Sequence, residues 1–133
     1  MTNTKVLVVE DEGIVALDLA SRLRRLGYDV SGIATSGEDA IQKAAETHPD
    51  LVLMDIRLRG KMDGIEAAQT IRARFDVPVI YLTALADEET LQRARATEHD
   101  GLILKPFEER ELHAAVAEAL RQSKAEGLND GNT

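Results

Sequence analysis

Hydrophobic residues along this chain alternate between two patterns: short unbroken runs, and longer stretches in which they recur every three or four positions. An unbroken run of four to eight apolar residues predicts a strand buried on both faces, and the longer spacing predicts an amphipathic helix. Lys5 to Val9 is the first run, and it leads into Glu10-Asp11-Glu12. The stripe Val15, Leu19, Leu23 and Leu26 follows, with Ser21, Arg22, Arg24 and Arg25 off it; Gly27 then reads as the left-handed residue beyond the helix. Tyr28 to Ala34 alternates weakly, as expected of a strand near a sheet edge. Ser36 with Asp39 is a capping pattern for a helix carrying Ala40, Ile41, Ala44 and Ala45. That helix is expected to end near His48-Pro49, because the residue before proline avoids the helical region.

Leu51 to Asp55 is the third strand, four apolar residues running directly into one aspartate. A basic connector, Ile56 to Met62, contains Gly60; Asp63 with Glu66 then caps a helix carrying Ile65, Ala68, Ile71 and Phe75. Pro78 opens a fourth strand, Val79 to Leu82, ending at Thr83. Asp87 is expected to cap a short helix to about Thr97, whose stripe is only Leu91 and Ala94, which makes it the least firmly held. Leu102 to Leu104 form the fifth strand, ending at Lys105-Pro106. The last helix runs from about Glu108 with Leu112, Ala115, Val116, Ala119 and Leu120 on one face, and beyond Gln122 the chain turns polar. The expectation is one domain over residues 1–122 and a frayed tail over 123–133. Five strands alternating with five helices predict an α/β fold: a parallel sheet with right-handed crossovers, covered on both faces.

Composition narrows the partners. The 133 residues are 44% hydrophobic and 30% charged, suiting one soluble domain with a single core. The net charge of −8, without a Lys/Arg-rich run, argues against direct nucleic-acid binding, and 3% aromatics leave no stacking platform for bases. No apolar run approaches the ~20 residues of a membrane helix. Cysteine is absent, which removes disulfide and thiolate-metal chemistry and is compatible with a cytoplasmic place. His48, His99 and His113 lie in separate segments with no partner at ligand spacing. Neither a phosphate-binding glycine loop nor a serine nucleophile elbow is present.

Four strands end in reactive residues: Glu10/Asp11, Asp55, Thr83 and Lys105. In a parallel sheet those ends share one edge, where open α/β sheets place their chemistry. Taken singly, an acid after a strand is a solvated loop residue or a helix cap; four together are a candidate site. Three carboxylates brought to ~4 Å repel by roughly 4 kcal/mol per pair at an effective dielectric near 20. An all-oxygen donor set relieves that with a hard divalent ion, Mg²⁺ or Mn²⁺. With an ammonium and a hydroxyl opposite, the set suits phosphoryl transfer to Asp55 as a carboxylate nucleophile.

These residues carry a resemblance. Val-Val-Glu-Asp-Glu at 8–12, Leu-Met-Asp at 53–55, Met-Asp-Gly-Ile-Glu-Ala at 62–67, Leu-Thr-Ala at 82–84 and Lys-Pro-Phe at 105–107 resemble the motifs of response-regulator receiver domains of two-component signalling. The resemblance spans about residues 5 to 122. It implies a flavodoxin-like fold of strand order 2-1-3-4-5, and Asp55 as acceptor of a phosphoryl group from a histidine kinase or phosphotransfer protein. It further implies Mg²⁺ on Glu10, Asp11, Asp55 and the backbone carbonyl of Arg57, and phosphoryl oxygens met by Thr83, the Ala84 amide and Lys105. A cis Lys105–Pro106 bond is implied, as is a phosphoryl lifetime influenced by Arg57 and Leu85. The implied output is a changed surface around the fourth helix, fifth strand and fifth helix, read by a downstream protein or output domain or by dimerisation. The chain would then be a stand-alone regulator or a piece of a longer one, and not a turnover enzyme apart from slow autodephosphorylation.

Two departures from the family pattern stand out. Leu102 occupies the switch position, three residues before the lysine, where Tyr or Phe is usual. Arg59 takes the place of a proline four residues after Asp55, in a loop one residue longer. The loop's basic residues Arg57, Arg59 and Lys61 either face phosphate or a partner, or are simply solvated, which is the reading taken for Arg59 and Lys61. Two other readings compete. An aspartate-nucleophile phosphatase of the haloacid dehalogenase type wants a second acid where Arg57 stands. An inert interaction module does not need the acid, threonine and lysine set.

Overall fold

The computed structural model describes residues 3–84, 88–96 and 100–131, with side-chain surroundings as far as residue 123. Strands β1 (Lys5–Val9), β2 (Asp29–Ala34), β3 (Leu51–Asp55), β4 (Val79–Ala84) and β5 (Gly101–Lys105) form one parallel sheet. Helices α1 (Gly13–Arg25), α2 (Gly37–Thr47), α3 (Gly64–Phe75), α4 (Glu88–Ala96) and α5 (Glu109–Gly131) alternate with them. The strand order is β2-β1-β3-β4-β5, as the resemblance implied.

The apolar runs explain the sheet's depth. All five residues of β3 are buried, and so are Val6 to Val9 of β1, because helices cover both faces there. The edge strands β2 and β5 are mostly half-buried. Side-chain alternation divides the core. Leu7, Val9, Val52, Met54, Val79 and Tyr81 face α2 and α3, whereas Val6, Val8, Leu51, Leu53, Ile80 and Leu82 face α1 and α5. Along β2 the register slips once: Val6 pairs with Val30 but Leu7 with Gly32, so Ser31 is the extra residue of a bulge in this edge strand.

Local signals set the helix ends. The Ser36 hydroxyl accepts from the Asp39 N–H at 3.0 Å, and Asp63 and Glu66 form a reciprocal capping box at the start of α3. Gly27 follows α1 at φ +95°, while His48 and Asp76 take the left-handed conformation after α2 and α3. Within α4, Leu91 and Ala94 are the buried residues, the thin stripe expected of it. The expected Asp87 cap and the end near Thr97 lie outside the described residues. The backbone of α5 continues as helix to Gly131, past residue 122, where the sequence reading placed a frayed tail. Lys124, Ala125 and Glu126 favour helix and no proline intervenes, although Gly127, Asn129 and Asp130 favour it less.

Gly64 opens α3 directly beneath the end of β3, and its N–H donates to the Ile56 carbonyl at 3.0 Å. A Cβ here would overlap the Asp55 carbonyl oxygen and lie 2.8 Å from the Ile56 Cα, both backbone atoms. At Gly13, the first residue of α1, a Cβ meets nothing within 4 Å. Gly64→Ala is therefore expected to lower the urea-denaturation stability by at least the ~1–3 kcal/mol typical of overpacking. Gly13→Ala should leave it equal or raised by up to about 1 kcal/mol. Equal losses in the two variants would remove close packing under Asp55 as the reason for glycine at 64.

Candidate functional site

The carboxyl ends of β1, β3, β4 and β5 lie side by side. Register alone sets Asp55 beside Leu82 and Ala84 beside Lys105. Glu10 and Asp11 follow β1, and one carboxylate oxygen from each of Glu10, Asp11 and Asp55 lies within 4.8 Å of the others. Glu10 is 1% exposed and Asp55 7%. The Lys105 ammonium is 3.1 Å from Glu10 Oε2 and 3.4 Å from Asp55 Oδ2, and so ties the first acid to the third. The other oxygen of each is engaged by backbone: Asp55 Oδ1 accepts from Arg57 N–H at 2.9 Å, and Glu10 Oε1 accepts from Glu12 N–H at 3.3 Å. These two contacts come from the turns leaving β3 and β1. The chain thus uses its own backbone to fix the acids.

The remaining expected residues take distinct places. Thr83 is buried at the end of β4, where its hydroxyl donates to the Ala84 carbonyl at 3.2 Å. Ala84, Lys105, Asp55, Asp11, Arg57 and Arg59 are among the residues around an open cavity of about 560 Å³. Leu102 is half-buried in the core, paired in register with Tyr81 and set back from the cavity. Leu85 lies outside the described residues. The Lys105–Pro106 bond is cis.

Burial and charge act on the same groups. Burial, reinforced by neighbouring Asp55, pushes Glu10 up to about 7 against the pull of Lys105. Burial works to lower the Lys105 ammonium, but Asp55 and Glu10 outweigh it and raise it above its ordinary value. Lys105 is therefore a firm cation among acids that repel one another. The cluster offers oxygen donors without sulfur or imidazole, which suits a hard divalent ion.

The family described as response regulator receiver domain matches residues 6–117. The chain belongs to this family. The receiver is 37% identical over 112 residues to the transcriptional regulatory protein PdtaR of Mycobacterium tuberculosis, covering 84% of this chain and 54% of that one. To the phyllosphere-induced regulator PhyR of Methylorubrum extorquens it is 35% identical over 118 residues, covering 88% and 43%. It spans about half the length of these relatives. Among solved structures, the signal receiver domain of a modulated diguanylate cyclase from Desulfovibrio desulfuricans G20 superposes with a TM-score of 0.88 at 38% identity, over 94% of this chain and 99% of that one. The anti-anti-sigma factor PhyR of Bartonella quintana gives 0.84 at 30%, over 98% and 52%.

Sequence reasoning missed two contacts in the receiver. Arg59, read as solvated, reaches back to Asp11, its N–H donating to Asp11 Oδ2 at 3.2 Å and its Nε lying 3.4 Å from the same oxygen. Arg93 of α4 bridges to Asp63 at 2.8 Å, linking α4 to the cap of α3. The longer loop and the capping pattern were visible signals, but neither names a partner.

The loop that leaves Asp55 ends at Asp63, so this cap holds the site's far margin. Burial raises Asp63, yet Arg93 and the Glu66 N–H outweigh it, and the carboxyl titrates below its ordinary range. A folded-state value below the unfolded one stabilises above the unfolded pKa and is lost as pH falls through the folded one. Asp63→Ala is expected to cost about 1 kcal/mol near pH 7. In urea titrations the gap from wild type should narrow below about pH 4. A gap that holds constant across that range would show that the charge contributes nothing.

Proposed function

We propose that this receiver is a phosphoacceptor switch in which Asp55 takes a phosphoryl group from the phosphohistidine of a histidine kinase or phosphotransfer protein. Glu10, Asp11, Asp55 and the backbone carbonyl of Arg57 would hold Mg²⁺ or Mn²⁺. The observation that carries this reading is the placement of Asp55: next to an ammonium and two further acids, beside an open cavity. An Asp55 oxygen attacks phosphorus; an O–P bond forms as the N–P bond to the donor imidazole breaks, leaving an acyl phosphate. The divalent ion, when bound, supplies positive charge against the phosphoryl oxygens. Lys105 meets those oxygens from the β5 side. The Thr83 hydroxyl turns from the Ala84 carbonyl to donate to them, beside the Ala84 N–H.

Ile14 and Leu17 near the start of α1 are 85% and 64% exposed, and Val15 between them borders the cavity. Apolar side chains beside the opening favour a protein donor over a small phosphate ester. Phosphorylation adds about −1.5 to −2 charges, and its consequences run through Thr83 and Leu102 to the surface of α4, β5 and α5. That surface is read by a downstream protein or output domain, or by a second copy. By the family resemblance, positions 57 and 85 influence the lifetime of the acyl phosphate, and the domain acts as a regulator whose own dephosphorylation is slow. A cytoplasmic place is consistent with the family, and no helix among the described residues is long and apolar enough to cross a membrane.

Incubation with acetyl phosphate and Mg²⁺, read by intact mass, should add one phosphoryl group to the wild type and none to Asp55→Asn. Chelation of the metal should abolish the gain. If neither acetyl phosphate nor a panel of phosphorylated histidine kinases modifies the wild type, the reading fails in favour of an inert interaction module.

A further inference from the structure

We propose that Arg59 is a built-in counter-cation of the acidic cluster, seated on Asp11 in the metal-free receiver and released when a divalent ion binds. This inference rests on the metal reading of the site given above.

Asp11 Oδ2 receives two contacts from one residue: the Arg59 N–H at 3.2 Å and its Nε at 3.4 Å. Lys105 serves Glu10 and Asp55 from the opposite flank. Each side of the cluster therefore has its own cation, Lys105 half-buried on one flank and Arg59 exposed on the other. A divalent ion that takes Asp11 needs an oxygen lone pair at roughly 2.0–2.1 Å. That approach puts the ion against a guanidinium already resting on the same oxygen, and like charges at such range repel. Where the ion takes that same oxygen, the guanidinium has to leave it.

Arg59 is built to leave. Its side chain is 86% exposed, whereas that of Asp11 is 12% exposed. Displacing the guanidinium returns it to water at little cost, and the acid stays where it is. The contact is made from the connector that leaves β3: Arg59 lies four residues beyond Asp55, and Gly60 next to it takes the left-handed φ of +110°. The backbone contact of Arg59 joins the loop itself to Asp11, so metal binding also changes what holds the loop. In phosphoryl transfer, the released guanidinium is a mobile positive charge at the rim of the cavity, beside the place where phosphoryl oxygens arrive.

The test measures metal binding alone. Mn²⁺ binding to the full chain is followed by electron paramagnetic resonance and then displaced with Mg²⁺, for wild type, Arg59→Gln and Lys61→Gln. Lys61 supplies the same charge change in the same loop. Arg59→Gln should bind Mn²⁺ about two- to fivefold more tightly, the range an exposed ion pair can contribute, and Lys61→Gln should match wild type. The rise in melting temperature on adding saturating Mg²⁺ should also be larger for Arg59→Gln, since only its metal-free form has lost a counter-charge. Unchanged affinity in Arg59→Gln, or an equal gain in both variants, overturns the proposal: the first leaves Arg59 a solvated residue, the second reduces it to net charge. If the wild type itself binds neither ion, the metal reading of the site fails and this inference with it.

Discussion

Two carboxylates, Glu10 and Asp55, are buried at the end of the sheet within reach of one ammonium, and the rest of the molecule is arranged to make that tolerable. Unpaired, such charges cost several kcal/mol each to remove from water. Lys105 offsets part of that cost, and backbone N–H groups from the β1 and β3 turns offset more. Burial and Asp55 add a third relief by raising Glu10 above its ordinary carboxylate range, which favours its neutral form. The five-stranded sheet matters here as a rigid rack. Its strands are pinned by apolar residues on both faces, and that holds the carboxyl ends of β1, β3 and β5 close enough for Glu10, Asp55 and Lys105 to meet.

Much of this was legible in the sequence, because the signals were local and redundant. Each apolar run ended in its reactive residue, and Ser36/Asp39 and Asp63/Glu66 marked helix starts that the structure has. Alternation of strand and helix then placed the ends of the strands on one edge without knowledge of any contact. What stayed hidden depends on rotamers and on loop paths. Nothing local says that Glu10 is buried more deeply than Asp11, that the Thr83 hydroxyl turns to the Ala84 carbonyl, or that Arg59 returns across 48 positions to Asp11. Arg59 is solvated, as an arginine in a basic loop ordinarily is, and only the path of that loop adds its contact with Asp11. The end of α5 has no sharp signal of its own: a polar stretch without an apolar stripe reads as tail, while its backbone is helical to Gly131.

Leu102 raised the question of how a receiver of this family switches without a ring on β5. The register supplies part of an answer. Leu102 pairs with Tyr81, whose ring is fully buried two residues before Thr83 on the same face of β4. The aromatic bulk on this side of the sheet therefore sits one strand inward, packed in the core, and a ring so enclosed does not rotate between exposed and buried positions. Under the proposed reading, motion in response to Thr83 would fall instead to the elements above it.

Those elements are unequally held. On the α1 and α5 side, Leu19, Leu23, Leu112 and Val116 pack deeply against the strands. By contrast, α4 rests on Leu91 and Ala94, and an exposed pair from Arg93 to Asp63 ties it to α3. Beneath it β5 is an edge strand, with four of its five residues only half-buried. A charge added at Asp55 under the proposed reading acts first on Lys105, the last residue of β5, and on Thr83, next to last in β4; α4 is the helix that connects these two strands. Weak burial and an exposed pair of about 0–1 kcal/mol leave little to resist a shift of that helix. The same charge has little purchase on α1, whose buried leucines would each lose apolar contact worth about 1.5–3 kcal/mol. Unequal packing of the two halves, set by where large apolar residues fall along the chain, therefore gives the response its direction.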